Sequence, residues 1–333
     1  MRCWRGARLW GVATSGSTGN TKLALGHADG WEFIALHYER ALYADCFPDG
    51  MPPVLATCLP LKFSAAFLMT VLPSLFLRRD LVIFPSHDWS AVHAESAHRD
   101  VAVLGVPALV AAACLGMSRP VDAHRVALFL GGGHLGAERV RLVRERFEGA
   151  SVRNLYGSAE TGAVAVDPDP GHHQHVGHPV VGKAVWLEAV DERGIGAVAV
   201  AGPDCCLAIW RSGEQARFND GYVASTDYGR FDTEGRLCLE GRVDGGEKLR
   251  GVLVYPRAVE RHLLSLSGVA DARVLVRRTE TGLEHLMARV VGRAGAEEVR
   301  AHCASLAEEQ RPSRIECVPE AEALAVYSAN GKL

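Results

Sequence analysis

The order of apolar and polar residues in the first half of the chain predicts strands that alternate with helices. Residues 29–43 carry apolar side chains at mixed spacings of three and four, which predicts a helix packed on a sheet. Short apolar runs between polar segments predict strands over residues 54–58, 81–84, 101–104 and 126–130, and residues 152–155 are predicted as the next strand. This alternation predicts an α/β domain with a largely parallel sheet that is covered on both faces.

The pattern changes after Gly162, where the strand-like runs become shorter and are separated by turns. These runs predict a mainly antiparallel sheet or a small, distorted, barrel-like part, and they are residues 180–188, 197–201, 205–210 and 237–239. From about Asp244 onward, the pattern predicts a compact α+β domain with helices at 258–264 and 297–308 and strands at 272–277 and 286–291. We therefore predict a large domain over residues 1–243 and a small domain over residues 244–333.

Length, charge and cysteine content restrict the class of protein. The 333 residues suggest two domains, and the net charge of −3 does not imply a broad basic face for nucleic acid. The nine cysteines show no zinc-type spacing, and their odd number without a secretory signal predicts a reducing, cytoplasmic location. The apolar runs 63–77 and 101–117 contain proline or glycine, so we expect core segments and no membrane span.

The first stretch with distinctive chemistry is residues 13–22, with the sequence ATSGSTGNTK. The apolar residues before it predict a short buried strand. Glycines allow backbone N–H groups to approach an anion closely, hydroxyls add donors, and Lys22 adds a compact positive charge. This composition suits a polyphosphate, although the stretch is not a Walker loop because it lacks the Gly-Lys-Ser/Thr ending. The alternative is a simple Ser/Gly turn between a strand and a helix.

The second stretch is residues 154–162, NLYGSAETG, at the end of a predicted strand. The ring of Tyr156 can lie against a nucleobase, and the amide of Asn154 can pair with an adenine edge. Glu160, if it lies beside a phosphate loop, is a candidate Mg2+ ligand. The alternative is a helix N-cap followed by a tight turn.

Two later stretches add further candidates. Asp227, in STDYG, can accept two hydrogen bonds from a ribose diol, with Arg242 of the following GRVD behind it; two turns of a β-meander are the alternative. Lys332, near the end of the chain in SANGKL, can swing into a cleft and meet an anionic transition state. A frayed terminus with a solvated lysine is the alternative for that last stretch.

The order and spacing of these stretches resemble the adenylate-forming superfamily, which comprises acyl-CoA synthetases, nonribosomal peptide adenylation domains and firefly luciferase. The matching segments run through nearly the whole chain, and they are residues 14–22, 131–133, 154–161, 176–179, 225–227, 241–244, 251–260 and 331–332. The resemblance implies the fold of that superfamily: a large domain with a parallel sheet and a distorted barrel, then a small mobile domain.

The resemblance also implies a role for each matching residue. Phosphate binding falls to Thr14, Ser15, Gly16, Ser17, Thr18, Gly19 and Lys22. Adenine binding falls to Gly132, Asn154 and Tyr156, and ribose binding to Asp227 and Arg242. Glu160 would bind Mg2+, Asp244 would be the hinge of the small domain, and Lys332 would contact the carboxylate and the α-phosphate.

The activity implied by the resemblance has two steps. A carboxylate and Mg-ATP give an acyl-adenylate and pyrophosphate, and a thiol of coenzyme A or of a carrier-protein phosphopantetheine then accepts the acyl group. An amide-forming ligase of the same fold and a non-catalytic nucleotide-binding or partner-binding paralogue remain alternatives. In this chain the phosphate loop lies almost at the N-terminus, whereas similar enzymes carry a long segment before that loop. That segment could be dispensable, or a partner or self-association into a homo-oligomer could replace it.

Other departures from the family concern single residues. Ala159 stands where a hydroxyl residue is usual, Thr21 where proline is usual, and Gly245 where a second acidic residue follows the hinge. The first change removes a hydroxyl expected near the α-phosphate, the second alters loop stiffness slightly, and the third loosens domain rotation.

The candidate acyl pocket comprises Phe63, Ser64, Phe67 and Gly133, and it lacks the aspartate that pairs with the amine in amino-acid-activating relatives. Because a buried ammonium without a counter-charge is costly, we expect an aryl or other acid without an α-amino group. The histidines at 172, 173 and 175 do not have zinc spacing, so we expect a solvated loop there.

Overall fold

The computed structural model describes residues 8–14, 22–133, 135–171, 175–211, 216–242, 247–249, 252–254, 256–278 and 284–327. The strands of the large part are β1 Leu9–Thr14, β2 Lys22–His27, β3 Val54–Thr57, β4 Asp80–Ile83, β5 Val101–Gly105, β6 Val121–Asp122, β7 Val126–Gly131, β8 Phe147–Glu148, β9 Ser151–Ser158, β10 Gly162–Asp167, β11 His178–Pro179, β12 Ala184–Glu188, β13 Gly196–Ala201, β14 Ala208–Arg211, β15 Arg217–Phe218, β16 Val223–Phe231 and β17 Leu237–Arg242. The later strands are β18 Glu247–Leu249, β19 Val252–Val254, β20 Val269–Arg278, β21 Glu284–Gly292 and β22 Arg314–Val318.

The helices lie mainly between these strands. They are α1 Trp31–Tyr38, α2 Ser64–Ala66, α3 Leu72–Phe76, α4 Ser90–Ser96, α5 Pro107–Gly116, α6 Ala137–Arg146, α7 Pro256–Leu264 and α8 Ala296–His302. A π-helical turn extends α1 through Tyr43, and a second one joins α2 to α3. Within the described residues, no helix combines the length and apolarity needed to cross a membrane.

A seven-stranded sheet in the order β11-β10-β9-β7-β5-β3-β4 forms the centre of the large part. Strands β4, β3, β5, β7 and β9 run parallel, whereas β10 and β11 add an antiparallel edge. Successive side chains of a strand point to opposite faces, so Leu55 packs in one apolar cluster and Val54 and Ala56 in another. The predicted parallel sheet with two covered faces is confirmed.

The predicted change of pattern after Gly162 is confirmed as well. One four-stranded sheet, in the order β12-β13-β16-β17, lies wholly after Gly162. A second, in the order β1-β2-β14-β15, combines the first two strands of the chain with two later ones. Both sheets are antiparallel throughout. The predicted strand 180–188 is wrong in its first half, because β12 begins only at Ala184 after a turn. The first strand is also less buried than predicted: Leu9 is exposed, whereas Trp10 and Val12 are buried.

The C-terminal part has its own core. Strands β20, β21 and β22 form a three-stranded sheet, and α7 and α8 contribute Val259, Leu263 and Val299 to the cluster packed on it. The predicted helix 297–308 ends earlier, since α8 runs from Ala296 to His302 and two short 3-10 turns follow it. The predicted hinge, Asp244, lies outside the described residues, so the domain boundary remains a prediction.

One buried polar cluster joins the C-terminal part to α6. The guanidinium of Arg139 lies 2.9 Å from a carboxylate oxygen of Asp271, and the Tyr327 hydroxyl donates a hydrogen bond to the same oxygen at 2.9 Å. Arg139 is 3% exposed. This contact therefore joins the C-terminal sheet to the large part through a mostly buried ion pair.

Candidate active site

The two ends of the candidate phosphate loop meet in an antiparallel hairpin. Thr14, the last residue of β1, faces Lys22, the first residue of β2. Antiparallel pairing brings the start and the end of the intervening segment together, which suits a loop that closes over an anion. Ser15, Gly16, Ser17, Thr18 and Gly19 lie outside the described residues, and so does Lys332.

The candidate adenine residues come from two neighbouring parallel strands. Strands β7 and β9 pair with Leu130 opposite Asn154, so Gly132 and Tyr156 lie at or just beyond the carboxyl ends of the paired segment. Ligands of open parallel sheets bind at these ends. Gly132 has a φ of +78°, a conformation that a residue with a side chain rarely adopts, so glycine suits this turn.

The structure brings Tyr156 and Asp227 together, although they are 71 positions apart in the sequence. The Tyr156 hydroxyl donates a hydrogen bond of 2.7 Å to a carboxylate oxygen of Asp227. The hydroxyl of Ser225 lies 3.4 Å from the same oxygen and accepts a hydrogen bond from the Asp227 amide at 3.1 Å. In the ladder of β16 and β17, Asp227 lies opposite Arg242. This contact therefore brings one candidate adenine residue and one candidate ribose residue together.

Glu160 lies in the tight turn between β9 and β10. Its amide donates to the Ser158 hydroxyl at 3.2 Å, and its carbonyl accepts a hydrogen bond of 2.8 Å from the Cys206 amide. Within the described part of the chain, the half-buried Glu160 carboxylate has no hydrogen-bond or ion-pair partner. Its oxygens are thus available to a cation.

The donor set of this region fits Mg2+ bound mainly by a nucleotide. Among the residues that the structure describes, no group of three or more histidine, cysteine or acidic side chains is arranged to hold a metal. Mg2+ is commonly bound by one or two carboxylates together with substrate phosphates, and Glu160 can supply such a carboxylate.

The candidate acyl residues lie at the start of the helical segment after β3. Phe63 and Phe67 are half-buried and adjoin the apolar cluster on one face of the main sheet. The Phe67 ring packs edge-on against Trp31 with 5.6 Å between centroids, and the Lys62 ammonium lies 5.8 Å from the Phe63 centroid. Ser64 begins α2, and Gly133 follows the turn after β7. The described side chains of residues 63–67 contain aromatic rings and no carboxylate.

Sequence reasoning missed a buried polar cluster directly behind the Glu160 turn. Lys183 and Asp204, both 0% exposed in their side chains, form an ion pair there. The Tyr38 hydroxyl donates to Asp204 at 2.6 Å, and His37 lies 3.7 Å from the other carboxylate oxygen. No local motif links these residues, because Lys183 and Asp204 lie far from each other and from α1 in the sequence. Tyr38 is one of the apolar positions of the predicted helix 29–43, whereas the burial of His37 and the contact of Tyr38 with Asp204 become apparent only in the folded structure.

Burial controls the protonation of this cluster. Burial, reinforced by the negative charge of Asp204, raises the pKa of Tyr38 well above its ordinary value of 10.0. Burial lowers the pKa of His37 from 6.5, although the charge of Asp204 opposes this effect. Burial also raises the pKa of the neighbouring Cys205 thiol, so this thiol is kept protonated and unreactive.

Known proteins that resemble this chain include two curated relatives. Tyrocidine synthase 2 of Brevibacillus parabrevis is 27% identical over 224 residues, which are 60% of this chain and 6% of that protein. Indoleacetate–CoA ligase of Aromatoleum aromaticum is 27% identical over 303 residues, which are 84% of this chain and 56% of that protein. This chain therefore spans little more than half the length of the second relative and a small part of the first.

A solved structure and a family model complete the comparison. The anthranilate CoA ligase AuaEII in complex with anthranoyl-AMP has a TM-score of 0.72 and 21% identity, over 97% of this chain and 64% of that chain. This likeness shows that the two chains share a fold. The model of the family described as AMP-binding enzyme matches residues 13–207, which are more than half of the chain and include the Glu160 turn. The chain belongs to the AMP-binding enzyme family, within the adenylate-forming superfamily.

Proposed function

We propose that this protein uses ATP to activate a carboxylic acid as an acyl-adenylate and then transfers the acyl group to a thiol. The thiol would belong to coenzyme A or to a carrier-protein phosphopantetheine. One observation carries the proposal: the hydrogen bond between Tyr156 and Asp227 unites the expected adenine and ribose residues beside the Glu160 turn. Membership of the AMP-binding family supports the same assignment.

Each part of ATP has residues to bind it in this proposal. The edge and face of adenine meet Gly132, Asn154 and Tyr156 at the ends of β7 and β9. The ribose hydroxyls donate to Asp227, with Arg242 on the neighbouring strand. The β- and γ-phosphates lie in the loop between Thr14 and Lys22, where backbone amides, hydroxyls and one ammonium supply donors.

The chemistry needs positive charge near the phosphates. The acid's carboxylate oxygen forms a bond to the α-phosphorus while the bond to pyrophosphate breaks, and negative charge grows on the phosphate oxygens. Mg2+, held by Glu160, would neutralise part of this charge when bound. Lys332 would contact the carboxylate and the α-phosphate. In the second step the thiolate forms a bond to the acyl carbon, and AMP leaves with the electron pair of the broken bond.

The substrate we propose is an aryl or other acid without an α-amino group. The aromatic rings of Phe63 and Phe67 would contact such an acyl group, and residues 63–67 offer no carboxylate for an ammonium. The relatives named for indoleacetate and anthranilate support an aryl acid. We also propose a cytoplasmic location, since each described cysteine is an unpaired thiol.

A pyrophosphate-exchange screen tests the first step. ATP, Mg2+ and labelled pyrophosphate are supplied with aryl, fatty, hydroxy and amino acids in turn. We expect exchange with an aryl acid and none with α-amino acids. A preformed adenylate then receives coenzyme A, a carrier protein or an amine, which separates thioester formation from amide formation. No exchange with any acid would favour a non-catalytic, nucleotide-binding paralogue.

The Lys332→Ala variant tests the catalytic assignment. We expect exchange to fall by about 10²–10³-fold, the scale for loss of one donor to a developing oxyanion. Leu333→Ala, a truncation at the neighbouring position, is the matched control and should keep nearly full exchange. Equal exchange in the two variants would contradict the role of Lys332.

A further inference from the structure

The ion pair of Lys183 and Asp204 connects segments that are distant in the sequence. The Lys183 ammonium contacts one carboxylate oxygen of Asp204. The other oxygen accepts hydrogen bonds from the Tyr38 hydroxyl at 2.6 Å and from the Ala163 amide at 3.1 Å. Two charges without solvent contact are tolerated only when they are paired and hydrogen-bonded, and this pair meets both conditions.

The same pair holds both sides of Gly162. The Lys183 ammonium donates to the Thr161 carbonyl, and the Ala163 amide donates to Asp204. Gly162 has a φ of +62°, and a Cβ at this position would overlap the Asp204 carboxylate. The turn between β9 and β10 is thus built directly onto the ion pair, with glycine required by the close approach.

Glu160 lies in the same turn, just before Thr161. The Thr161 hydroxyl accepts from the Ser158 amide at 3.1 Å and lies 3.0 Å from the Ser158 hydroxyl, so the turn is closed internally. The Cys206 amide binds the Glu160 carbonyl at 2.8 Å, two residues after Asp204. The next amide, that of Leu207, binds the Leu25 carbonyl of β2 at 2.7 Å. The hairpin of β1 and β2, which flanks the candidate phosphate loop, is called the phosphate hairpin. The loop that carries Asp204 therefore links the Glu160 turn to the phosphate hairpin.

We propose that Lys183 and Asp204 are positioning residues, which fix the Glu160 turn relative to the phosphate hairpin and so set the affinity for Mg-ATP. This inference rests on the proposed function. Neither residue reaches the nucleotide, because both are fully enclosed. They act through the main chain of residues 160–163. Residues behind a metal ligand commonly change metal affinity by about 10–100-fold when they are replaced.

The test measures ATP binding rather than turnover. ATP is titrated calorimetrically into the full chain with Mg2+ and again with EDTA, and the ratio of the two affinities is compared between variants. Lys183→Met combined with Asp204→Asn removes both charges together and leaves no unpaired ion. We expect the Mg2+-dependent gain in ATP affinity to fall about 10-fold, whereas the ATP affinity measured with EDTA should change little.

Tyr43→Phe is the matched control. Tyr43 is also fully buried, five positions after Tyr38, but its hydroxyl donates to the Met69 carbonyl away from the cluster. It should lower stability and keep the Mg2+-dependent gain of the unaltered protein. If the double variant does not fold, Tyr38→Phe replaces it, because this variant keeps both charges and removes only one hydrogen-bond donor to Asp204. We expect its Mg2+-dependent gain in ATP affinity to be about 3-fold smaller than that of the unaltered protein. This change is smaller than the full contribution of a buried hydrogen bond to a charged group.

The outcomes separate two failures. An unchanged Mg2+-dependent gain in the folded double variant, or in Tyr38→Phe when only that variant folds, would overturn the positioning role alone. No Mg2+-dependent ATP binding in the unaltered protein would overturn the proposed function and this inference with it. If Tyr43→Phe lowered the Mg2+-dependent gain in ATP affinity as much as Tyr38→Phe does, the inference would also be overturned. The effect would then reflect a general loss of packing in the core.

Discussion

Two tyrosine–aspartate pairs in this protein make nearly the same bond in different surroundings. Tyr38 donates to Asp204 at 2.6 Å, and Tyr156 donates to Asp227 at 2.7 Å. The first pair is completely buried beside the Lys183 ammonium. The second is half-buried at the end of β9, on the surface where the candidate nucleotide residues meet.

The difference shows that burial, more than bond length, decides what such a pair can do. Both oxygens of Asp204 are occupied by partners within the protein, so this carboxylate can only support the fold and hold the Glu160 turn. Asp227 keeps contact with solvent, so hydroxyl groups of a ligand can reach it. A buried carboxylate also depends on its counter-ion far more than a solvated one does.

The largest expected effect is loss of stability in Asp204→Asn. Removing this charge leaves the Lys183 ammonium buried and unpaired, which costs about 3–5 kcal/mol of unfolding free energy. Urea denaturation followed by circular dichroism measures the change. Asp227→Asn is the matched substitution at the open pair and should cost less than about 1 kcal/mol. Equal losses at the two positions would remove the distinction between them.

For ATP affinity, in contrast to stability, we expect the charge of Asp227 to matter. Asp227→Asn replaces a charged acceptor of ribose hydroxyls with a neutral one, so we expect ATP affinity to fall about 10-fold or more. The loss should be similar with Mg2+ and with EDTA, because ribose is remote from the metal. A loss confined to the Mg2+ condition would place Asp227 with Glu160 and contradict a ribose role.

Alkaline pH should act on the buried pair. The pKa of Tyr38 in the folded protein lies above its unfolded value of 10.0, so its contribution to stability is complete below that pH. It is lost as the pH rises toward the folded value, at up to about 1.4 kcal/mol per pH unit. Tyr38→Phe should therefore lose less stability between neutral and strongly alkaline pH than the unaltered protein loses. Thermal denaturation over an alkaline pH series provides the measurement.

The buried tyrosines Tyr43 and Tyr327 also have raised pKa values, so part of the alkaline loss should persist in Tyr38→Phe. The same alkaline slope in Tyr38→Phe and in the unaltered protein would show that Tyr38 ionises without cost.

The smallest expected effect is that of Tyr156→Phe on ATP affinity. The ring remains to contact adenine, and only the hydroxyl that orients Asp227 is lost. A hydrogen bond of this kind contributes about 1 kcal/mol or less when water can replace it, so we expect a fall of about 3–5-fold. Calorimetric titration of ATP measures it. A loss as large as that of Asp227→Asn would show that the pair acts as one unit.

Much of the fold could be predicted from the sequence because it depends on local order. Runs of apolar residues predicted β3, β5 and β7, since a fully buried parallel strand needs apolar side chains on both faces. Tyr156, Glu160 and Asp227 were candidates because they lie in short stretches whose residue types suit a nucleotide. Errors fell at element ends, such as residues 180–183, where a turn interrupts an apolar run.

By itself, the sequence determined the alternation of strands and helices, the change to antiparallel sheets after Gly162 and the candidate nucleotide residues, because each is encoded in neighbouring residues. Only the tertiary structure decided that Tyr156 meets Asp227 and that Tyr38, Lys183 and Asp204 share one buried cluster. Tyr38 and Asp204 are 166 positions apart. Whether a charge finds a counter-ion at such a separation depends on which surfaces pack together, and no local pattern records that.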